Sequence, residues 1–297
     1  HDKLKTVRLA RDLGVPVPQT VELDAVAGDL RGVGAELGWP IVVKPRHALR
    51  PRHQRAELSG VRYASDEPAL ARAAELDAGP LLLQSFCTGE GRAIGALASG
   101  GRVVAAFEHR RVREFPITGG PSSCRVGVAL EADLFDWTER LVAALHWTGL
   151  IMVEFRVGPR GPRLMEINGR TWGSLPLAVK SGVDFPRHVV DLCLGRNLPT
   201  APAPYRVGTV SRNLELELRW ALGVLRGPAF EHHRTPPRLE ALPVLARALW
   251  PWSGYDMASR DDRAPALAEI RRVARMVVAD SWDRRPRRRS ADPAPAR

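Results

Sequence analysis

Apolar residues Leu4, Val7, Leu9 and Leu13 recur near helical spacing at the start of the chain, and Gly14 with the VPVP that follows ends the predicted helix. Val21 to Leu23 reads as a short strand, and residues 26 to 37 as a second helix closed by Gly38. In WPIVVKP a β-branched run between two prolines predicts a short buried strand ending at Lys44. Residues 45 to 60 carry Arg46, His47, Arg50, Arg52, His53 and Arg55 with no apolar period, which predicts a basic loop. Beyond it VRYA reads as a strand, residues 67 to 76 as a helix begun by Ser-Asp-Glu-Pro, and LLLQSF as a strand broken by TGEG. Two further strands, near 93 to 98 and 102 to 109, face each other across Ser-Gly-Gly. FPITGGPSS is a Gly/Pro-rich loop, and residues 134 to 145 are again helical. After Pro199 two amphipathic helices, LELELRWALGVLRG and ALAEIRRVARMVVADSW, flank a Pro-rich connection.

Between those helical regions IMVEFRV and RLMEIN, joined by GPRGP at 158 to 162, form a predicted hairpin. Centring the pairing on Arg160 sets 157 opposite 163, 155 opposite 165 and Glu154 opposite Glu166. Side chains alternate along a strand, so Val153, Phe155, Met165 and Ile167 share one face while Glu154, Glu166 and Asn168 share the other. Directly opposed carboxylates, with β carbons about 5 Å apart, destabilise each other unless positive charge lies between them. One resolution is a divalent cation, since two carboxylates and an amide oxygen are hard ligands suited to magnesium, with manganese as the alternative. The other is a solvated polar face whose glutamates pair with Arg156 and Arg163. Both depend on register, because a one-residue bulge moves a glutamate to the opposite face.

The length of 297 residues is enough for about two folding units at roughly 150 residues each. The apolar fraction of 44% is that of a soluble globular chain, without a run of the ~20 apolar residues a membrane span needs. The N-terminal HDKLKTVRLARDLG is charged where a signal peptide is apolar, so a cytoplasmic location is expected. Cys87, Cys124 and Cys193 are widely spaced, form no zinc pattern and are expected to be reduced. Of the net charge of +11, residues 283 to 297 hold six Arg against two Asp. That basic, Pro-rich end reads as a disordered tail rather than a specific nucleic-acid reader. GEGRAIG lacks the Lys-Ser/Thr ending of a P-loop, and there is no G-x-S-x-G elbow.

Taken in order, DK near the start, GVPVP, WPIVVKP, LLLQSFCTGEG, VEFRV and LMEINGRTWGSLPLAVKSGVDFP resemble the ATP-grasp superfamily of carboxylate–amine and carboxylate–thiol ligases over residues 1 to 190, and more narrowly its bacterial carboligase-like members. The resemblance implies an α+β fold with ATP held between two antiparallel sheets. The implied boundaries are an ATP-grasp domain at 1–200 (small lobe 1–83, hinge 84–87, larger lobe 88–200), a helical extension at 201–281 and the tail at 282–297. It implies that Lys3 and Lys44 approach the nucleotide phosphates. Gln84, Ser85, Phe86 and Cys87 would border the adenine, and Glu90 the ribose. Glu154, Glu166 and Asn168 match the magnesium ligands, and Arg170 the arginine near the transferred phosphoryl group.

Three departures qualify that match. The Gly-rich segment that often follows the second lysine in biotin carboxylase is replaced by the basic loop, which offers Arg46, Arg50 or Arg52 to the phosphates instead. Gln84 stands where a glutamate is common, and the domain that usually precedes Asp-Lys is expected to be missing. The expected function is an ATP- and magnesium-dependent ligase that activates a small carboxylate as an acyl phosphate for attack by an amine or other nucleophile. Arg110, Arg111 and Arg113, before the FPITGGPSS loop, are candidates for the carboxylate, since the guanidinium fork suits it. The alternative is a non-catalytic nucleotide- or partner-binding module whose basic tail docks on an acidic partner or nucleic acid. The helices after residue 200 are open between a lid, a homodimer surface and a structural cap.

Overall fold

The computed structural model describes residues 2–26, 29–47, 49–52, 55–58, 60–76, 79–117, 119–227, 236–250, 254–259 and 261–283. Most of the expected tail, residues 284 to 297, lies outside them. The chain opens with helix α1 (Lys3–Asp12), whose N-cap Asp2 accepts from Leu4 N at 2.9 Å. A small sheet follows from β1 (Thr20–Glu22), β2 (Ile41–Pro45), β5 (Arg62–Ala64) and β6 (Leu81–Ser85), all antiparallel in the order β1-β6-β2-β5. Helices α2 (Leu30–Leu37) and α3 (Glu67–Glu75), each capped by an aspartate, cover one face of it. Ile41, Val43, Leu81 and Leu83 are buried against them. By alternation, Lys44 and Gln84 stand on the opposite face. The stretch expected to be a basic loop contains a hairpin instead, β3 (Leu49–Arg52) with β4 (Arg55–Leu58).

The large sheet is antiparallel in the order β11-β10-β7-β8-β9-β12. Its strands are β7 (Glu90–Ser99), β8 (Arg102–Glu114), β9 (Ser122–Val128), β10 (Gly149–Gly158), β11 (Gly161–Asn168) and β12 (Val210–Arg212). The expected hairpin across Ser99-Gly100-Gly101 is present, and both its strands are longer than predicted. Gly100 and Gly101 turn it at φ 55° and 82°, the left-handed conformation a two-residue turn requires. Helix α4 (Ala132–Ala144) covers one face through Leu134, Leu141 and Val142. On the other lie α5 (Leu175–Ser181) and α6 (Phe185–Cys193), with Trp172 and Phe185 buried. Trp172 lies so close over β7 that a β carbon on Gly95 would come within 2.2 Å of its ring.

Two boundaries differ from the sequence reading. Helix α1 buries Ala10 in the large-sheet core, and Leu164 N donates to Pro16 O at 2.7 Å, so the start of the chain is tied to the larger lobe. Residues 210–212 return to the large sheet as its edge strand, beyond the expected domain end at 200. Helix α7 (Leu214–Arg226) then packs on β8 and β9 and buries Trp220, Ala221 and Val224 against α8 (Ala241–Ala248). Helix α9 (Ala264–Asp283) lies against α7. No helix among the described residues is long and apolar enough to cross a membrane.

Candidate active site

The β10–β11 hairpin carries the acidic pair, and its register arises in two steps. The turn is two residues, Pro159 and Arg160, with Gly158 paired to Gly161, Arg156 to Arg163 and Phe155 to Leu164. That is three residues shorter than the expected five-residue loop and moves the pairing by one residue. The ladder then shifts between Phe155 and Glu154, leaving Met165 as an extra residue, after which Glu154 pairs with Glu166 and Met152 with Asn168. The expected pairing is therefore present, produced by a bulge rather than a longer loop. The bulge also corrects the expected packing: Leu164 and Ile167 enter the core, while Met165 stays outside that cluster and lines the cleft.

Asn168, 8% exposed, donates from Nδ2 to Glu154 Oε1 at 3.1 Å, and Arg111 from β8 pairs with Glu154 Oε2. Arg156 pairs instead with Glu114 at 3.0 Å, and Arg163 donates to Pro162 O at 2.8 Å. Neither arginine neutralises the glutamates, which removes the reading of a solvated face closed by those two. No ion pair or hydrogen bond to the Glu166 carboxylate forms among the described residues. Two carboxylates at directly paired positions with an amide beside them form a hard-oxygen donor set that fits magnesium or manganese.

Across the narrow cleft stands Lys44. Burial pushes its ammonium down to about 8, partly offset by the Glu166 charge and reinforced by Lys3. Lys3 donates to Pro45 O at 3.2 Å, so both lysines lie at the end of β2. Arg46, offered by the sequence as a phosphate contact, is committed elsewhere. It holds Asp2 through Nε at 3.0 Å and Nη2 at 2.8 Å and reaches Glu22 at 3.2 Å, which drives the Asp2 carboxyl far below its usual range. The side chains of Arg50 and Arg52 lie outside the described residues.

Along β6, Gln84 is 4% exposed and donates from Nε2 to Thr20 Oγ1 at 2.9 Å, leaving Oε1 buried without a partner among the described residues. Ser85 N donates to Gln19 O at 3.0 Å, Phe86 meets Tyr63 edge-on at 6.0 Å, and burial pushes the Cys87 thiol up. Beside this segment a cavity of about 410 Å³ is lined by Ser85, Cys87, Thr88, Arg156, Arg160 and Arg163. Glu90 is exposed and meets Arg110 at 3.5 Å. Arg170 is also exposed and donates to Thr171 O at 2.9 Å.

The three arginines offered to a carboxylate all border one cavity but face different partners, because β8 alternates faces and its pairing with β9 shifts between Arg111 and Arg113. Arg110 faces Glu90 at the surface. Arg111 joins Glu154 to Glu114 (3.4 Å) and to Gly120 O (3.2 Å). Arg113 is held by Glu217 of α7 at 2.9 and 2.5 Å and lies 5.2 Å above the Trp220 ring, so it anchors the helix. Glu114 and Met165 are the site residues that sequence reasoning missed. The Arg111/Glu114 spacing of three is a weak signal for the first, and nothing local marks the second.

A family model described as "ATP-grasp in the biosynthetic pathway with Ter operon" matches residues 77–215. The carbamoyl phosphate synthase large chain of Rubrobacter xylanophilus is 26% identical over 222 residues, which is 70% of this chain and 20% of that protein. The chain thus spans about a fifth of the length of that curated relative. Among solved structures, N5-carboxyaminoimidazole synthase from Aspergillus clavatus, bound to ADP and 5-aminoimidazole ribonucleotide, superposes with a TM-score of 0.59 at 16% identity. That match covers 84% of this chain and 72% of that one. The biotin carboxylase domain dimer of Hydrogenobacter thermophilus 2-oxoglutarate carboxylase, with MgADP, ADP and bicarbonate, gives 0.56 at 17% identity, over 70% and 48%. At such identities these structures establish a shared fold.

Proposed function

We propose, from the premise that this chain belongs to the ATP-grasp superfamily, that it is an ATP- and magnesium-dependent ligase activating a carboxylate for attack by an amine. The observation that carries this reading is the direct pairing of Glu154 with Glu166, Asn168 beside them, across the cleft from Lys44. Both sheets are then walls of one nucleotide site, with residues 84–87 as its hinge. Gln84, its nitrogen tied to Thr20, offers Oε1 as an acceptor to the adenine amino group, as a glutamate would. The edge of Phe86 and the backbone of 85–87 border the ring, and Glu90 reaches the ribose.

Glu154, Glu166 and Asn168 would hold magnesium, which supplies charge neutralisation at the phosphates. Lys3 and Lys44 approach the same phosphates as point charges, and Arg170, beyond the strand end, has the reach to meet developing charge. A substrate carboxylate oxygen attacks the γ-phosphorus, the bond to the β–γ bridging oxygen breaks, and ADP leaves with that electron pair. An amine nitrogen then attacks the acyl carbon, phosphate departs, and the nitrogen loses a proton. No protein nucleophile is required.

Titration calorimetry with the non-hydrolysable analogue AMPPNP tests the assignment. The wild-type chain is expected to bind it only with magnesium, and Glu166→Ala to lose at least about tenfold in affinity while keeping its circular-dichroism spectrum. Unchanged affinity in that variant overturns the metal assignment.

A further inference from the structure

A second, open cavity of about 410 Å³ is bordered by Arg111, which also pairs with Glu154, and the helical extension forms one of its walls. Arg110, Arg111, Arg113 and Arg156 border it from the large sheet, Trp220 from α7 and Glu240 from the turn before α8. We propose that this cavity takes the carboxylate substrate, that the substrate is an amino acid, and that α7 and the turn before α8 select it. The inference rests on the ligase reading above and names its substrate class.

Three features carry it. First, Arg111 is shared between this cavity and Glu154, so a carboxylate bound there lies one guanidinium away from the candidate metal ligands. Arg111 pairs with Glu154 and shares Glu114 with Arg156, at 3.4 and 3.0 Å, while its Nε has no hydrogen-bond partner among the described residues, which leaves a donor for an added anion. Second, one acidic group in the lining faces no partner: Glu240 is exposed with no ion pair among the described residues. A ligand bearing both a carboxylate and an ammonium satisfies both ends, whereas a simple carboxylate leaves Glu240 unanswered.

Third, the wall is rigid. Trp220 is 3% exposed, its ring lies beneath the Arg113 guanidinium, and one helical turn earlier Glu217 accepts from Arg113 and, at 2.8 Å, from Ser123 Oγ. That buried clamp fixes α7 against β8 and β9, so the small part of Trp220 that borders the cavity is held in place. The cavity is of small-ligand size.

The test uses the full chain with ATP, magnesium and hydroxylamine, which traps an acyl phosphate as a hydroxamate whatever the natural amine is. The panel pairs each amino acid with its des-amino analogue: alanine with propionate, phenylalanine with 3-phenylpropionate, γ-aminobutyrate with butyrate, and so on. At least one amino acid is expected to exceed its analogue by about tenfold or more in kcat/KM. Glu240→Gln, at the surface, is expected to raise KM for that amino acid about tenfold with little change in kcat and no change for the analogue. Trp220→Phe is expected to change the ranking among side chains. Equal use of amino acids and analogues, or an unchanged KM in Glu240→Gln, overturns the proposal, as does absence of hydroxamate while AMPPNP still binds. Loss of AMPPNP binding in the wild-type chain overturns the ligase reading itself.

Discussion

Lys44 supplies the sharpest quantitative test of the cleft, because burial lowers its ammonium to about 8 and nucleotide phosphates would return it toward its ordinary value of 10.5. In the free protein the side chain is about half protonated at pH 8 and about nine-tenths at pH 7. Binding of AMPPNP with magnesium should therefore draw in about 0.1 proton at pH 7, about 0.5 at pH 8 and about 0.9 at pH 9. Calorimetry in buffers of different ionisation enthalpy measures the uptake directly. Affinity should fall by up to about tenfold for each pH unit above 8. Uptake that stays flat between pH 7 and 9, or persists in Lys44→Met, refutes the placement of Lys44 at the phosphates.

The same group acts on stability in the opposite direction. The unfolded chain keeps the proton to pH 10.5, while the folded chain releases it near 8, so between those values the unfolded state binds more protons and stability rises with pH. The ceiling is about 3 kcal/mol, reduced because the side chain is only partly withdrawn from water. Alkaline conditions should therefore firm the ligand-free protein while weakening its hold on nucleotide.

Two further outcomes are expected. Glu217→Ala strands the Arg113 guanidinium at the base of α7 and should cost about 3–5 kcal/mol in urea unfolding, a loss below about 1 kcal/mol contradicting the clamp. His109, pushed down to about 3 by burial with Arg111 and Arg125 adding, gives stability that is full above 6.5 and lost as pH falls toward 3. Glu108, pushed up to about 7 by burial, works the other way, favouring the fold below 4.5 and losing that contribution as pH rises through 7. His109→Gln should remove the acid limb alone, read as thermal midpoint against pH; an unchanged limb rejects the assignment.

Where a feature is set by neighbours along the chain, the sequence revealed it. The hairpin alternation put Glu154 and Glu166 on one face, and the Asp, Gly and Pro signals marked most helix ends within a few residues. What depended on distant partners stayed hidden. Arg46 reads as a loop cation until Asp2, 44 residues earlier, comes into reach, and Arg113 reads as a substrate contact until Glu217, 104 residues later, receives it. The β3–β4 hairpin was missed because LRPRHQRAEL has no apolar alternation to betray a strand. Strand β9 was missed because a Gly/Pro-rich stretch precedes it and its buried Arg125 finds Asp256 only in the folded chain.

The acidic pair itself shows why partial legibility can still yield a correct site. The expected loop was one residue too long on the first strand and two on the second, a register that puts Phe155 opposite Met165 and needs no bulge. The chain instead closes a two-residue turn and expels Met165, and the one-residue register shift of the turn is cancelled by the one-residue bulge at Glu154 and Glu166. The physical driver is the core: Leu164 and Ile167 lie three apart, and only a bulge lets a strand bury both on one face. The same bulge frees Met165 to line the cleft opposite Lys44 and Gln84. Apolar packing beneath the sheet thus sets the register above it, and with it the spacing of the oxygen ligands.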